Sequence, residues 1–299
     1  MPAYVLVLIA PAAGAASLGT IAVATAAEIG AQEPVWLAPE ACELPFEASD
    51  LAGARAVRDH IAAGIGDVPI DVCVVPAAGR RKALLVADMD STIIQQECID
   101  EMADMLGLKS RIAAITERAM RGELPFEAAL RERLALLAGL EVGALQRVFD
   151  ERVTLMPGAR TLVATMRANG AFTALVSGGF SFFTSRVAAA VGFDVNQANE
   201  LEIVDGRLTG NVVGPILGRE AKLAALRHYR EVRGLPEGAT MAVGDGANDL
   251  SMIEAAGLGV AYRAKPVVAA ETDVGITHGD LTALLYLQGY RRTDFAAVS

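Results

Sequence analysis

The sequence predicts an α/β protein: a doubly wound parallel sheet that is interrupted after its first strand by a helical insertion and preceded by a small α+β unit. Three observations carry this. Continuous apolar runs recur after residue 82, at Ala83–Ala87, Ala171–Val176, Thr240–Val243 and Leu258–Ala261, as expected of strands buried on both faces. Helical segments separate most of them, at 160–168, 181–190, 219–231 and 248–255, which is the alternation of a parallel sheet. The first 78 residues instead read β-α-β-β-α-β.

In that first unit Val5–Ile9 is a strand, and Ser17 is placed to N-cap a helix running to about Glu28. Val35–Leu37 and Glu43–Phe46 are short strands near Pro34 and Pro39. Leu51–Ala63 is a helix with Asp50 as its N-cap and Gly64 as its stop. Ile70–Val75 is the last strand, and Pro76–Gly79 is the boundary, dividing the chain into 1–78 and 79–299. This order is that of a ferredoxin-like split βαβ unit.

About 80 residues separate the first two strands of the second unit, and roughly 97–153 contain no β-like run. Gly107, the Gly122–Pro125 segment and Gly139 divide them, so they predict three or four helices forming a cap over the sheet edge. Leu201–Val213 carries Asp205-Gly206 between two short β-like runs and predicts a hairpin.

Composition narrows the class. The 299 residues are 53% hydrophobic and 21% charged, which excludes a disordered chain. Net charge is −10, and residues 1–79 carry nine acids against Arg55 and Arg58. No basic face is visible, so nucleic acid and anionic membranes are not expected partners. Cys42, Cys73 and Cys98 have neither zinc nor disulfide spacing, which points to a reducing, cytoplasmic setting. Tyr4–Ala27 is free of charge over 24 residues. Its only strongly apolar part is Tyr4–Ile9, no Lys or Arg precedes it, and small residues fill the rest. It reads as a buried strand followed by a small-residue helix, rather than a membrane span or signal peptide.

The chemistry concentrates at strand ends. Asp88-Met-Asp90-Ser-Thr follows Ala83–Ala87, putting two carboxylates where open α/β sheets bind ligands. One carboxylate can act as a nucleophile and its neighbour as general acid, then base; a helix-capping turn would look the same. Gly244-Asp245-Gly-Ala-Asn248-Asp249 follows Thr240–Val243. Several carboxylates in one crevice repel unless a cation neutralises them, and an oxygen-rich set with room for phosphate suits Mg²⁺. Asp245 is then a metal ligand, and Asp249 a supporting carboxylate or an additional ligand. Ser177-Gly178-Gly179 ends another strand and offers N–H donors and a hydroxyl to an anion. Lys222, on a later helix, is either a solvated lysine or the cation that neutralises transferring phosphoryl oxygens; its spacing decides nothing.

These four elements, in this order, resemble the four motifs of the haloacid dehalogenase-like (HAD) superfamily over about residues 83–280. Longer runs sharpen the resemblance to its phosphoserine phosphatases: Asp88 to Glu101, Val176 to Phe180, Leu208-Thr-Gly210, Val243 to Met252 and Ala264-Lys-Pro266. Met89 stands where that family often has Phe. The resemblance implies a Rossmann-like core and a Mg²⁺-dependent hydrolysis of O-phospho-L-serine, the last step of L-serine biosynthesis. Asp88 would be nucleophile and metal ligand. Asp90 would be general acid/base, with its main-chain carbonyl on the metal. Asp245 would complete the metal set. Ser177, Gly178 and Lys222 would hold the phosphoryl group, and Asn248 would contact the substrate. The N-terminal unit looks like an ACT-like amino-acid-sensing module, and such modules often pair into homodimers.

In the cap, Phe126, Leu130, Arg133 and Leu137 are spaced 4, 3 and 4 and share one helical face. Arg133 on that stripe is either a snorkelling or internally paired side chain or a fork for a carboxylate. Glu97 is either a favourable charge at a helix N-terminus or a group facing the substrate. The resemblance implies the second role for both, with Met120 and Phe126 shielding the site. A phosphotransferase passing the phosphoryl group to an alcohol such as homoserine would nearly share these motifs; a non-catalytic amino-acid sensor working through the ACT-like unit is the other alternative, and the presence of Asp88, Asp90, Lys222 and Asp245 speaks against it. His60, His228 and His278 have no motif context.

Overall fold

The computed structural model describes residues 3–120 and 123–298, without the side chain of Met120. Its first unit is β1 (Ala3–Ile9), α1 (Ala15–Ile29), β2 (Val35–Ala38), β3 (Ala41–Glu47), α2 (Leu51–Ile65) and β4 (Asp71–Pro76). The strands form an antiparallel sheet in the order β2-β3-β1-β4. Tyr4, Leu6 and Leu8 of β1 face Leu18, Ala22 and Ala26 of α1 and Ala54 and Ile61 of α2. Val5, Val7 and Ile9 join the core of the second unit instead. Burial on both faces explains why β1 is uniformly apolar although its neighbours are antiparallel.

Two helix boundaries differ from expectation. The N-cap of α1 is Gly14, and the Ser17 hydroxyl donates back to the Gly14 carbonyl at 3.0 Å. A serine one turn inside a helix uses its hydroxyl on the preceding turn, so its N-cap signal was misplaced. Helix α2 runs through Gly64 and stops before Gly66, whose φ is 63°. Among the described residues, Ala12–Ile29 forms one helix that is long and apolar enough to cross a membrane by length and composition. Here Leu18, Ala22, Thr25 and Ala26 lie buried against the sheet.

The second unit begins with β5 (Leu84–Ala87) and passes to four helices, α3 (Cys98–Met105), α4 (Lys109–Met120), α5 (Phe126–Leu136) and α6 (Val142–Arg152). It then returns through α7 (Ala159–Ala168), β6 (Phe172–Phe180), α8 (Ser181–Val191), β7 (Val195–Val204), β8 (Arg207–Val213) and α9 (Arg219–Val232). It ends with β9 (Thr240–Gly244), α10 (Leu250–Glu254), β10 (Leu258–Tyr262), α11 (Pro266–Glu271), β11 (Val274–Ile276) and α12 (Ala283–Leu287). The sheet order is β11-β10-β9-β5-β6-β7-β8, parallel except for β8. β7 is longer than the predicted hairpin arm and pairs with β6, and β11 was not expected.

The two crossings into the four-helix cap are tied together. Gln95 N–H donates to Thr154 O at 3.0 Å, and Met156 N–H to Ile93 O at 2.8 Å. The junction between the two units is polar at its rim. Arg80 pairs with Glu43 at 2.6 Å and donates to the carbonyls of Tyr286 and Leu287. The Asp71 carboxylate accepts the backbone N–H groups of Thr277, His278 and Gly279. Glu40 accepts from Tyr286 and pairs with Arg292.

Candidate active site

Strand β5 lies between β6 and β9, so the chain leaves the sheet in opposite directions on its two sides. The C-terminal ends of these three strands form the crevice where such sheets bind ligands. Asp88 follows β5, Ser177 lies near the end of β6, and Asp245 follows β9.

Asp88 and Asp245 are each 5% exposed, and Asp249 is fully buried. Carboxylate oxygens of these three lie within 4.8 Å of one another. Lys222 is 1% exposed, which settles the alternative of a solvated lysine. Its ammonium sits 2.7 Å from Asp88 and 2.6 Å from Asp249. Burial alone would lower the Lys222 pKa, but these two carboxylates outweigh it and hold the ammonium above its ordinary range. Asp249 also accepts the Gly246 N–H at 3.0 Å, which fixes the turn after β9. Lys265 lies 3.3 Å from Asp245.

The Asp90 carboxylate is not one of this trio and has its own partners. One oxygen accepts the Cys98 N–H at 2.9 Å and the other accepts the Ser177 hydroxyl at 3.2 Å. Burial raises its pKa, partly opposed by these hydrogen bonds. Burial raises Asp88 well above the usual carboxylate range, with Asp249 adding to it and Lys222 opposing it. Asp245 is raised by burial and restrained by Lys265. Two aspartates two residues apart thus have different partners: Asp88 pairs with Lys222, and Asp90 accepts from a hydroxyl and an N–H donor.

Ser177-Gly178-Gly179 sits within the last residues of β6, where the register to β7 shifts, and α8 opens only at Ser181. The Gly179 N–H donates to the Ser177 hydroxyl at 2.8 Å. Asn199 of β7 donates to the Gly178 carbonyl at 2.8 Å and accepts the Leu217 N–H at 2.7 Å. This buried amide ties the Ser-Gly-Gly segment to the loop before Lys222's helix. Nothing in the sequence singles it out, because one Asn in a polar strand has no motif context. Asn248 is partly exposed, with its carbonyl oxygen folded over Gly246.

The cap closes the open side. Glu97 is the N-cap residue of α3, and its carboxylate accepts the Ser91 hydroxyl at 2.8 Å. Burial and then Asp90 push its pKa up to about 7. Arg133 on α5 is half-buried, donates to the Ala129 carbonyl at 3.2 Å, and lies in the field of Asp100 and Glu97. Asp100, absent from the sequence reading, is raised by burial and lowered by Arg133. The Phe126 ring lies over Gly178 and Gly218, between cap and sheet. Met120 falls outside the described side chains.

The trio has only hard oxygen donors, and the nearby cations do not match its charge, a donor set that fits Mg²⁺ better than a softer ion. Its side chains are those of Asp88, Asp245 and Asp249, which include the two aspartates expected to ligate through their carboxylates and the one expected as a supporting carboxylate or an additional ligand. The Asp90 carboxylate is engaged elsewhere, so only its main chain is left for such a role.

A family model for haloacid dehalogenase-like hydrolases matches residues 85–254. The chain is 45% identical over 243 residues to a phosphoserine phosphatase of Streptomyces coelicolor, an alignment covering 81% of this chain and 59% of that relative. It therefore spans less than two thirds of that relative's length. A HAD family hydrolase from Salmonella enterica serovar Typhi superposes with a TM-score of 0.84 at 30% identity, covering 95% of this chain and 98% of that one. A structure of a phospho-aspartyl intermediate analogue of phosphoserine phosphatase superposes with a TM-score of 0.64 at 37% identity, covering 69% of this chain and 98% of that one.

Proposed function

The chain belongs to the haloacid dehalogenase-like hydrolases, and we propose that it hydrolyses O-phospho-L-serine to L-serine and phosphate. The observation that carries the chemistry is the split surroundings of Asp88 and Asp90. An Asp88 carboxylate oxygen attacks phosphorus, the P–O bond to serine breaks, and Asp90 gives its proton to the departing serine oxygen. Asp90 then takes a proton from water as that water attacks phosphorus, which releases phosphate and frees Asp88. Lys222 balances the charge of Asp88 and faces the phosphoryl oxygens, and Ser177 with the Gly178 segment supplies further donors.

A Mg²⁺ held by Asp88, Asp245 and the main-chain carbonyl of Asp90, with Asp249 beside them, would supply positive charge against the phosphoryl oxygens when bound. Substrate choice rests on the cap. Glu97 and Arg133 place an anion and a guanidinium near the crevice, the pair that an amino acid's ammonium and carboxylate require. Asn248, at the turn after β9, is the further substrate contact in this reading.

The same reading keeps residues 1–78 as a separate ACT-like unit, with the cap at about 97–153 as an insertion in 79–299. The order of the N-terminal sheet supports it. Three buried, unbridged cysteines accord with a cytoplasmic setting.

Phosphate release from O-phospho-L-serine and from p-nitrophenyl phosphate, each with Mg²⁺ and with EDTA, tests the proposal. The expected result is Mg²⁺-dependent release with strong preference for phosphoserine. Release from p-nitrophenyl phosphate alone would retain the phosphatase and remove the substrate.

A further inference from the structure

The motif Leu208-Thr209-Gly210 takes no part in the chemistry above, yet it lies where the sheet grips the cap. β7 and β8 turn through Asp205 and Gly206, both at positive φ, and the hairpin reaches residues 139–142 between α5 and α6. Gly139 N–H donates to Leu208 O at 2.8 Å, Leu208 N–H to Leu140 O at 2.9 Å, and Val142 N–H to Gly206 O at 3.0 Å. Arg207 adds a bond to Gly139 O at 2.9 Å and an ion pair with Glu141 at 2.6 Å. Gly210, at φ 88°, lies flat on α5. A β-carbon there would come within 3.1 Å of the Ala138 Cβ and 3.2 Å of the Ala135 Cα and the Leu134 carbonyl oxygen. Arg133 is the residue before Leu134 on that helix.

We infer that this hairpin is a strap that sets the height and rotation of α5, and that Gly210 is a positioning residue for Arg133 and hence for recognition of the substrate carboxylate. The inference rests on the phosphoserine reading. A guanidinium fork must meet a carboxylate within roughly 10–20° to bond at two points. A side chain at φ 88° is strained whatever the space and also meets Ala138 and α5 at 3.1–3.2 Å, so seating one shifts strap and helix together and acts first on selectivity. Asp88 and Asp90 follow β5, Ser177 lies in β6 and Lys222 on α9, and none of them is among the atoms nearest Gly210.

The test compares kcat/KM for O-phospho-L-serine with kcat/KM for p-nitrophenyl phosphate in the full chain. Variants are Arg133→Ala, Gly210→Ala, their double, Gly210→Ala with Ala138→Gly, and Arg207→Ala. Gly210→Ala is expected to lower the phosphoserine value about tenfold or more through KM, with p-nitrophenyl phosphate within about twofold. The double variant loses no more selectivity than Arg133→Ala alone, because both act on one contact. Ala138→Gly, by opening space under the new methyl, restores part of the selectivity. Arg207→Ala, an exposed change that keeps the fold, moves the ratio the same way by about two- to threefold. If Gly210→Ala does not fold, Arg207→Ala decides alone. Equal losses on both substrates, or an unchanged ratio while Arg133→Ala loses selectivity, overturn the strap. If Arg133→Ala itself keeps full selectivity, the carboxylate clamp is wrong and the strap falls with it.

Discussion

Asp88, Lys222 and Asp249 form a buried cluster in which the Lys222 ammonium bridges the two carboxylates. Removing the middle one leaves two carboxylates without a counter-ion. Lys222→Ala is expected to cost about 3–5 kcal/mol in denaturant unfolding measured with EDTA present, and to depress turnover far more than KM. An unchanged midpoint would mean that Lys222 is not the counter-ion. Glu97 makes a pH prediction. Its pKa of about 7 is raised, so the free protein carries it neutral below that value and anionic above it. Only the anion attracts an ammonium, so kcat/KM for phosphoserine relative to p-nitrophenyl phosphate should rise with pH through about 7. Glu97→Gln should remove that limb, and a limb that survives would move the ammonium contact elsewhere. At this scale the sequence exposed the aspartates through the company they keep: Asp88 and Asp90 alone match a helix-capping turn, and the Ser177-Gly-Gly and Asp245 to Asp249 segments at other strand ends set them apart. It left Lys222 undecided and Asn199 invisible, since burial comes from elements distant in the chain.

The elements divide along the same line. Strands buried on both faces announced themselves, as Leu84–Ala87 and Thr240–Gly244 do. The first half of β7, Val-Asn-Gln-Ala-Asn-Glu, is polar and pairs through its backbone, so no apolar run marks it. β11 is only Val-Gly-Ile and takes its register from β10. Asp50, read as an N-cap, does accept the Gly53 N–H at 2.8 Å. Asp50→Ala should therefore destabilise the chain by about 1 kcal/mol in thermal unfolding. Asn199→Ala leaves the half-buried Gly178 carbonyl and Leu217 N–H without these partners. It should cost about 1–3 kcal/mol and weaken inhibition by inorganic phosphate. Inhibition at the wild-type level would show that the Ser-Gly-Gly segment keeps its shape without it.

For the whole molecule, the acidic bias of the first 79 residues has a partial structural account. Glu40, Glu43 and Asp71 all lie at the junction with the second unit, facing Arg292 and Tyr286, Arg80, and the backbone of 277–279. The two units are thus held by charge-assisted bonds around an apolar contact, with β1 buried between them. Asp71→Ala strands three backbone N–H groups and should raise hydrogen exchange at 277–279 while lowering stability by about 1–3 kcal/mol. Protection unchanged there would remove Asp71 from the junction. The central claim is that Asp88 carries the phosphoryl group in transit. Acid quenching during turnover of phosphoserine, followed by peptide mass analysis, tests it most directly. The account predicts one added phosphoryl mass on the Asp88 peptide that is absent from Asp88→Asn, a variant that releases no phosphate. Steady phosphate release by Asp88→Asn, or the adduct on another residue, would contradict it.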